Sequence, residues 1–192
     1  PDGLGQIDVN SSKIINVSQP TADSHAATKS YVDATVQGLD IKDSVKVATT
    51  ASFTMASIAS TTTLVLNDGE GGFDNSAGTL TIDDVSLSQN DRVLIKDGVN
   101  SSNTVVNHKW NGIYTVGDLS GSNVTLSRAL DADSNAELTG GTFVFVEEGT
   151  VNSNNGFVFT HNGTPTIGTT NLTVSQFSGA GSFIAGTNLS RD

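Results

Sequence analysis

The chain has 192 residues, enough for one domain with a hydrophobic core, or for one domain and an attachment segment. Charged residues make up only 15%, so Ser, Thr, Asn and Gly supply the polarity, and these residues favour strands and turns over long helices. Acidic residues outnumber basic ones by 20 to 9, a net charge of −11 that opposes a nucleic acid backbone or an anionic membrane surface. We therefore expect a mainly β protein, with no nucleic acid partner and no membrane insertion.

Two further absences in the sequence narrow its chemistry. There is no cysteine, which excludes disulfides, thiolate metal sites and a cysteine nucleophile from this segment. No apolar run approaches the ~18 residues of a membrane-spanning helix. Because the sequence starts without Met and stops in what resembles a new strand or turn, we expect it to be a piece of a longer chain.

The first forty residues differ from the rest, and we interpret residues 1–40 as a connector. Residues 13–17 predict a short strand. Thr21 or Asp23 then serves as a possible N-cap for a helix that runs to about Gln37, with Gly38 just beyond its end.

The predicted helix has a short apolar seam. Val32, Val36 and Leu39 are spaced by four and then three residues, which is one heptad of a coiled coil. The same pattern also suits an amphipathic helix that packs on its own domain. On spacing alone, self-association and packing within the domain are equally good interpretations.

The pattern from residue 41 onward is that of short strands, and residues 41–180 form the predicted β module. Turn signals such as Asp97-Gly98 and Asn111-Gly112 separate the runs. We expect a compact antiparallel sandwich or barrel, with residues 142–146 as a central strand, residues 67–78 as a mobile loop, and residues 181–192 as the start of a following module or a tail. The strands are predicted at residues 44–47, 62–66, 79–82, 85–87, 91–96, 113–116, 123–127, 142–146, 156–160 and 171–177.

No residue pattern in the chain predicts a cofactor, a metal or catalysis. The three histidines, His25, His108 and His161, are far apart and have no partner at metal-ligand spacing. Asp131-Ala132-Asp133-Ser134-Asn135 resembles the start of an EF-hand loop, but the glycine and glutamate that such a loop needs are missing, which leaves only an irregular calcium site open. The Glu147-Glu148 pair comes at a strand end, where successive side chains point to opposite faces. No nucleophile elbow, P-loop or dinucleotide motif is present.

Two aromatic residues and two arginines are the remaining candidates for a binding role. Trp110 and Tyr114 flank a turn, as aromatic residues of a carbohydrate-binding surface do, but core packing is the favoured interpretation. Arg92 and Arg128 are scarce cations among many carboxylates, so each is expected to form an ordinary ion pair.

Two parts of the sequence resemble a known family. Residues 16–33, which include Ala27-Thr28-Lys29-Ser30-Tyr31-Val32-Asp33, look like a connector common in bacteriophage tail fibres and related tail proteins. The remainder is similar to a β-rich module of phage and prophage tail fibres. The stretches that carry this second resemblance are residues 47–51, 91–97, 111–114, 128–133, 143–150 and 176–181.

The resemblance implies a structural protein of the virion, in a tail fibre or appendage that reaches the host surface. It implies a homotrimer in which Val32, Val36 and Leu39 of three copies pack together, and it implies other tail proteins and a host surface glycan as partners. It assigns no catalytic residue. Two alternatives stay open: a segment of a tailspike that depolymerises surface polysaccharide, and a module of a bacterial surface adhesin.

Overall fold

The computed structural model of the chain describes residues 10–22, 24–29, 31, 40–54, 57–100 and 106–179. The chain divides into two compact units, Pro1–Gly38 and Leu39–Asp192. Val32, Val36, Leu39 and residues 181–192 lie outside the described residues.

In the first unit, two predictions about secondary structure are wrong. Residues 13–17 form no strand, and Asn16 adopts a left-handed backbone with φ of 60°, which a strand does not have. Residues 24–28 are not helical, so the predicted start of the helix after Thr21 or Asp23 is wrong, whereas Lys29 and Tyr31 are helical and residues 32–37 lie outside the described residues. Instead, the Tyr31 N–H donates to Oγ1 of Thr28 at 3.1 Å, the hydrogen bond typical of an N-cap.

The second unit is mainly β, as the composition predicts. Its described residues also include a short 3-10 helix, His108–Trp110. The strands are β1 Val47–Ala48, β2 Phe53–Thr54, β3 Ser57–Ser60, β4 Thr63–Asn67, β5 Phe73–Asp74, β6 Thr79–Ile82, β7 Val85–Leu87, β8 Arg92–Ile95, β9 Val99–Asn100, β10 Gly112–Val116, β11 Asn123–Arg128, β12 Phe143–Val146, β13 Asn155–Phe159 and β14 Val174–Gly179.

These strands form four sheets. The largest has the order β1-β8-β10-β11-β4-β3, and a three-stranded sheet has the order β12-β13-β14. Strands β5, β6 and β7 form a second three-stranded sheet, and β2 pairs with β9. The pairing is not purely antiparallel, because β1 runs parallel to β8 and β2 parallel to β9. Closure into a barrel is not seen in the described part of the chain.

The six-stranded sheet has a hydrophobic core on each face, because successive side chains of a strand point to opposite sides. In β8, Val93 and Ile95 belong to one core and Leu94 to the other. In β10, Tyr114 and Val116 belong to the first core and Ile113 to the second. The first core is completed mainly by Phe53, Phe73, Leu80, Ile82, Leu87 and Val99. The second is completed mainly by Val144, Val146, Phe157, Phe159, Leu138 and Leu172.

One short segment, residues 40–49, connects the six-stranded sheet to the sheet β12-β13-β14 by backbone hydrogen bonds. The Val45 N–H donates to the Phe145 carbonyl of β12 at 2.9 Å. One residue later, the Lys46 N–H donates to the Arg92 carbonyl of β8, also at 2.9 Å. The same stretch of chain therefore extends the three-stranded sheet and then becomes the edge of the six-stranded sheet.

The interpretation of residues 67–78 as a loop is wrong in part, because β5 lies within this stretch and Phe73 is buried in the first core. Hydrogen bonds from backbone N–H groups to nearby carboxylates stabilise the turns before and after β5. Glu70 accepts from the N–H of Asn67 at 2.8 Å, and Asp74 Oδ1 accepts from the N–H of Ser76 at 2.9 Å. The glycines of this stretch permit tight turns around a strand that contributes to the core.

The turn between β6 and β7 is attached to the β12–β13 loop by one carboxylate. Asp83 Oδ1 accepts from the Val151 N–H at 2.9 Å, and Oδ2 accepts from the Asn152 N–H at 2.8 Å. The side chain of Asn152 continues this connection, because its Nδ2 lies 3.2 Å from the carbonyl oxygens of Ala48 and Thr49. Asp83 thus fixes a hairpin to the end of the segment that joins the sheets.

Asn111 is a fully buried amide that satisfies three separate backbone groups. Its Oδ1 accepts from the Gly98 N–H at 2.8 Å. Its Nδ2 donates to the carbonyls of Lys96 at 2.9 Å and Leu172 at 2.7 Å. A buried polar group stabilises a fold only when it is hydrogen-bonded, and here one side chain joins the turn at residues 96–98 to Leu172.

Substituting Asn111 by Ala is expected to lower the free energy of unfolding by about 3 kcal/mol or more, because three backbone groups lose their partner in the interior. Urea unfolding at pH 7 measures the change. The matched control is Asn162→Ala, at an exposed position, which is expected to stay within about 0.5 kcal/mol of the wild type. A loss below about 1 kcal/mol for Asn111→Ala would contradict this account.

Substituting Asp83 by Asn is expected to cost about 1 to 2 kcal/mol, because one of the two acceptor oxygens becomes an NH₂ group that faces a backbone N–H. Asp84→Asn is the matched control. Asp84 is exposed and has the same left-handed backbone, with φ of 63° against 50° for Asp83. Equal effects in the two variants would mean that the turn conformation, and not the carboxylate, matters.

Candidate interaction surface

The most distinctive surface of the second unit is the solvent side of the sheet β12-β13-β14, here called the outer face. Phe143 and Phe145 are two residues apart in β12 and so lie on one side of it. Ile41 is the parallel bridge partner of Phe143, and Val158 of β13 is its antiparallel partner. Phe177 of β14 completes the face, with its ring edge-on to that of Phe143 at 6.0 Å between centroids. The outer face is thus defined by Ile41, Phe143, Phe145, Val158 and Phe177.

These residues keep much of their area in contact with water. Phe177 is 73% exposed, Ile41 is 64% exposed and Phe145 is 39% exposed, while Phe143 and Val158 are half-buried. The opposite side of the same strands, with Val144, Val146 and Phe157, is fully packed. A contiguous apolar patch on the surface marks a site of interaction more often than isolated apolar residues do.

A local irregularity places Phe177 on this face. Gly156 pairs with Ser178 and Phe157 pairs with Gln176, so Phe177 has no partner residue in the ladder. This is a β-bulge, which redirects a side chain and bends the strand. β14 is also an edge strand of its sheet, and Ser175, Gln176 and Phe177 carry no charge that would discourage pairing with another strand.

Charged side chains near one end of the outer face form hydrogen bonds or ion pairs within the chain. Glu147, two residues beyond Phe145, accepts a hydrogen bond from the Ser44 hydroxyl. Lys46 forms an ion pair with Asp91 at 2.7 Å, and the hydrogen bond that its ammonium donates to Asp91 raises the pKa of Lys46. These contacts are local and leave the apolar patch itself uncharged.

Arg92 forms the ordinary ion pair that the sequence predicts. Its Nη1 and Nη2 donate to Oδ1 and Oδ2 of Asp131 at 3.0 and 2.9 Å. Burial raises the pKa of Asp131, but the hydrogen bonds and charge of Arg92 outweigh it and hold the pKa below its ordinary value.

The segment that resembles a calcium loop is occupied by the protein's own hydrogen bonds. Asp131 is engaged by Arg92, and Glu137 accepts from the N–H groups of Asp133 at 3.2 Å and Ser134 at 3.1 Å. Partial burial and the neighbouring Glu137 raise the pKa of Asp133. Within the described ranges, no three acidic or histidine side chains converge as a metal site would require.

The three histidines have separate surroundings. His25 Nδ1 accepts from the Thr21 N–H at 3.3 Å in the first unit. His108 Nδ1 is 3.4 Å from Nδ2 of Asn111. His161 is buried, with Nε2 3.0 Å from the Leu138 carbonyl. None of these contacts brings two histidines together.

Trp110 and Tyr114 are core residues, which confirms the favoured interpretation of both. Trp110 is 6% exposed, Tyr114 is fully buried, and the Tyr114 hydroxyl donates to the Trp110 carbonyl at 2.7 Å. They are not a carbohydrate-binding platform.

The prediction of an ordinary ion pair for Arg128 is wrong. The side chain is buried, its guanidinium lies 5.0 Å from the Tyr114 ring centroid, and Nη2 donates to the Asn111 carbonyl at 3.1 Å. No carboxylate within the described part of the chain pairs with it. Gly112 permits this placement, because a Cβ there would overlap Nη1 of Arg128. Cation–π contact and backbone carbonyls therefore replace the counterion.

The described residues also form an open groove of about 320 Å³ between residues 49–54, the glycine turns at 69–72 and the end of β6. Its lining is mostly hydroxyl groups and backbone. Asp83 lies at its rim, but both of its carboxylate oxygens already accept backbone N–H groups. The groove thus offers polar contacts without a pair of free carboxylates for acid–base chemistry.

No family model, no curated protein and no solved structure matches this chain. Its function has to be inferred from its own residues. Helices with the length and hydropathy to cross a bilayer are not found in the described residues.

The sequence pattern predicted strand β12 but missed the outer face. The run Phe143-Val144-Phe145-Val146 is uniformly apolar, which is typical of a strand buried on both sides. Ile41 and Phe177 gave no separate signal, because only the pairing of distant segments and a bulge bring them beside Phe143.

The burial of Tyr114 predicts a pH dependence of stability. Burial raises the pKa of Tyr114 to about 12, and the nearby Arg128 charge opposes this rise. Since the ordinary value is near 10, the folded state keeps the proton over a range in which the unfolded chain loses it. Stability contributed by this group is complete below pH 10 and falls between pH 10 and 12, by about 1.4 kcal/mol per pH unit.

Tyr114→Phe is expected to remove this slope, as measured by urea unfolding at several pH values from 8 to 12. Between pH 8 and 9 the difference between variant and wild type should be constant, at about 1 kcal/mol for the lost hydrogen bond. Parallel curves for the two proteins up to pH 12 would show that Tyr114 does not titrate on unfolding.

Proposed function

We propose that this chain is a structural segment of a bacteriophage tail fibre or tail appendage, acting in fibre assembly and in attachment to the host surface. In this proposal it is a homotrimer without enzymatic activity, located in the virion. Its partners are its own copies, other tail proteins and a glycan of the host surface.

The observation that carries the proposal is the connector sequence Ala27-Thr28-Lys29-Ser30-Tyr31-Val32-Asp33 directly before a β unit. A short connector followed by a compact β unit suits a protein built from modules in a row. The hydrogen bond from the Tyr31 N–H to Oγ1 of Thr28 is of the kind made at an N-cap, which supports a helix that begins inside the connector motif.

The chemistry of the β unit favours structure and adhesion over catalysis. The carboxylates described above are taken up by Arg92, Lys46, Ser44 and backbone N–H groups. Attachment to a glycan would use the hydroxyl-lined groove and neighbouring backbone groups, because neutral sugars bind through many hydrogen bonds. An acidic surface also suits an appendage that stays soluble at high local concentration.

Immunogold electron microscopy tests the location directly. Antibodies raised against this chain are expected to label the tails of the phage particles that encode it. Label on bacterial envelopes in the absence of phage would favour the adhesin instead. Incubating the chain with purified surface polysaccharide should yield binding without new reducing ends, whereas release of reducing ends would favour the depolymerase.

The homotrimer has its own test in the apolar seam. The double variant Val32→Asp plus Val36→Asp is expected to weaken self-association at least tenfold while the β unit stays folded, because two carboxylates per copy would meet at the shared axis. Light scattering at several concentrations measures the mass.

The matched control is Ser12→Asp plus Ser18→Asp, which adds the same charge to the same connector at exposed positions. It is expected to keep the wild-type mass. A mass unchanged in both double variants would remove the seam from the proposal.

A further inference from the structure

We propose that the outer face of the three-stranded sheet is a contact surface between copies of this chain. The inference rests on the proposed function, in that it names a second surface for the self-association proposed there. It differs from the seam in residues and in location, because it belongs to the β unit itself. The partner is a second copy of the same chain, packed on Phe177, Ile41 and Phe145.

The charge of the chain favours this face for contact between copies. Each copy carries a net charge of −11, so copies that meet on most surfaces bring carboxylates together and repel each other. The outer face is formed by five apolar residues, and Glu147 near its end is engaged by Ser44. Two copies that meet here exclude water from apolar area without pairing like charges.

Chain connectivity also favours a second copy as the occupant. Ile41 follows Leu39, the last residue of the predicted seam, by only two positions. Two residues of extended chain span at most about 7 Å. If the seam brings the copies together, Ile41 of each copy is held close to the same axis. Phe143 and Phe177 follow directly, since Ile41 bridges to Phe143 and Phe143 contacts the Phe177 ring.

The composition of the face suits a protein interface more than a site for a small ligand. It is the surface of an open sheet, and none of its five residues lines the groove beside residues 49–54. Three of its five members are Phe, and aromatic residues are enriched in interface cores. Phe177, with 73% of its area exposed in the single chain, has the most area to lose and is the expected hot spot.

The test uses the full chain and compares three single-charge variants by light scattering and sedimentation over a range of concentrations. Phe177→Lys and Phe145→Lys place a charge in the outer face, at two positions whose side chains are exposed in the single chain. The matched control is Ile58→Lys, an exposed apolar residue in β3 at the far edge of the six-stranded sheet. Circular dichroism and urea unfolding confirm that each variant is folded.

We expect both Phe variants to raise the concentration for half-dissociation at least tenfold and Ile58→Lys to leave it unchanged. Unchanged association in Phe177→Lys and Phe145→Lys would overturn the proposal, as would an equal loss in Ile58→Lys. A monomeric wild-type chain at all concentrations would overturn it too.

Failure of this inference is distinguishable from failure of the proposed assembly. If Val32→Asp plus Val36→Asp dissociates the protein and the Phe variants do not, the seam stands and the outer face is not an interface. If the Phe variants dissociate the protein and the seam variant does not, the outer face is an interface between copies and the seam is not. The virion location is tested separately by immunogold labelling, which depends on neither surface.

Discussion

The second unit depends on a ten-residue segment, residues 40–49, whose backbone is shared between two sheets. The Val45 N–H bonds to β12 and the Lys46 N–H bonds to β8, so one short segment sets the position of the β12-β13-β14 sheet against the six-stranded sheet. The second core forms between them as a consequence, with Val45 and Ala48 of the segment inside it. Because successive residues of a strand face opposite sides, Val47, which precedes Ala48 in β1, belongs to the first core. A shift of one residue here would exchange the two sets of side chains.

Polar side chains with several hydrogen bonds each also hold this region of the fold together. Asn111 joins three backbone groups, Asn152 reaches the end of the segment at Ala48 and Thr49, and Asp83 attaches the β6–β7 hairpin to the same region. Arg128 stacks on Tyr114 without a carboxylate partner, in space that exists because position 112 is a glycine. These contacts are directional, whereas apolar packing is not, so they select one register among several that would bury similar area.

The same construction explains why one sheet face stays exposed. The inner side of the sheet β12-β13-β14 packs against the second core, and no described element covers its outer side. Its exposed residues are aromatic and aliphatic and are uncharged in an acidic chain, and one of them, Ile41, is close in sequence to the predicted seam. In the proposed assembly the sheet face would add contact area to the predicted seam, since a seam of one heptad is too short to be stable alone.

Composition and turn chemistry were enough to predict a mainly β chain, most of its strands and the core positions of Trp110 and Tyr114, because these follow from local alternation and general burial tendencies. The short strand at 13–17 was wrong because Asn16 takes a left-handed conformation that apolar patterning does not reveal. The ion pair of Arg128 was wrong because its surroundings come from Gly112 and Tyr114 in a neighbouring strand. By itself the sequence determined the class of structure and its acidic, polar character. Only the tertiary structure decided that Ile41, Phe143 and Phe177 share one exposed face, because strand pairing between distant segments and a bulge in β14 are not encoded in any single stretch of residues.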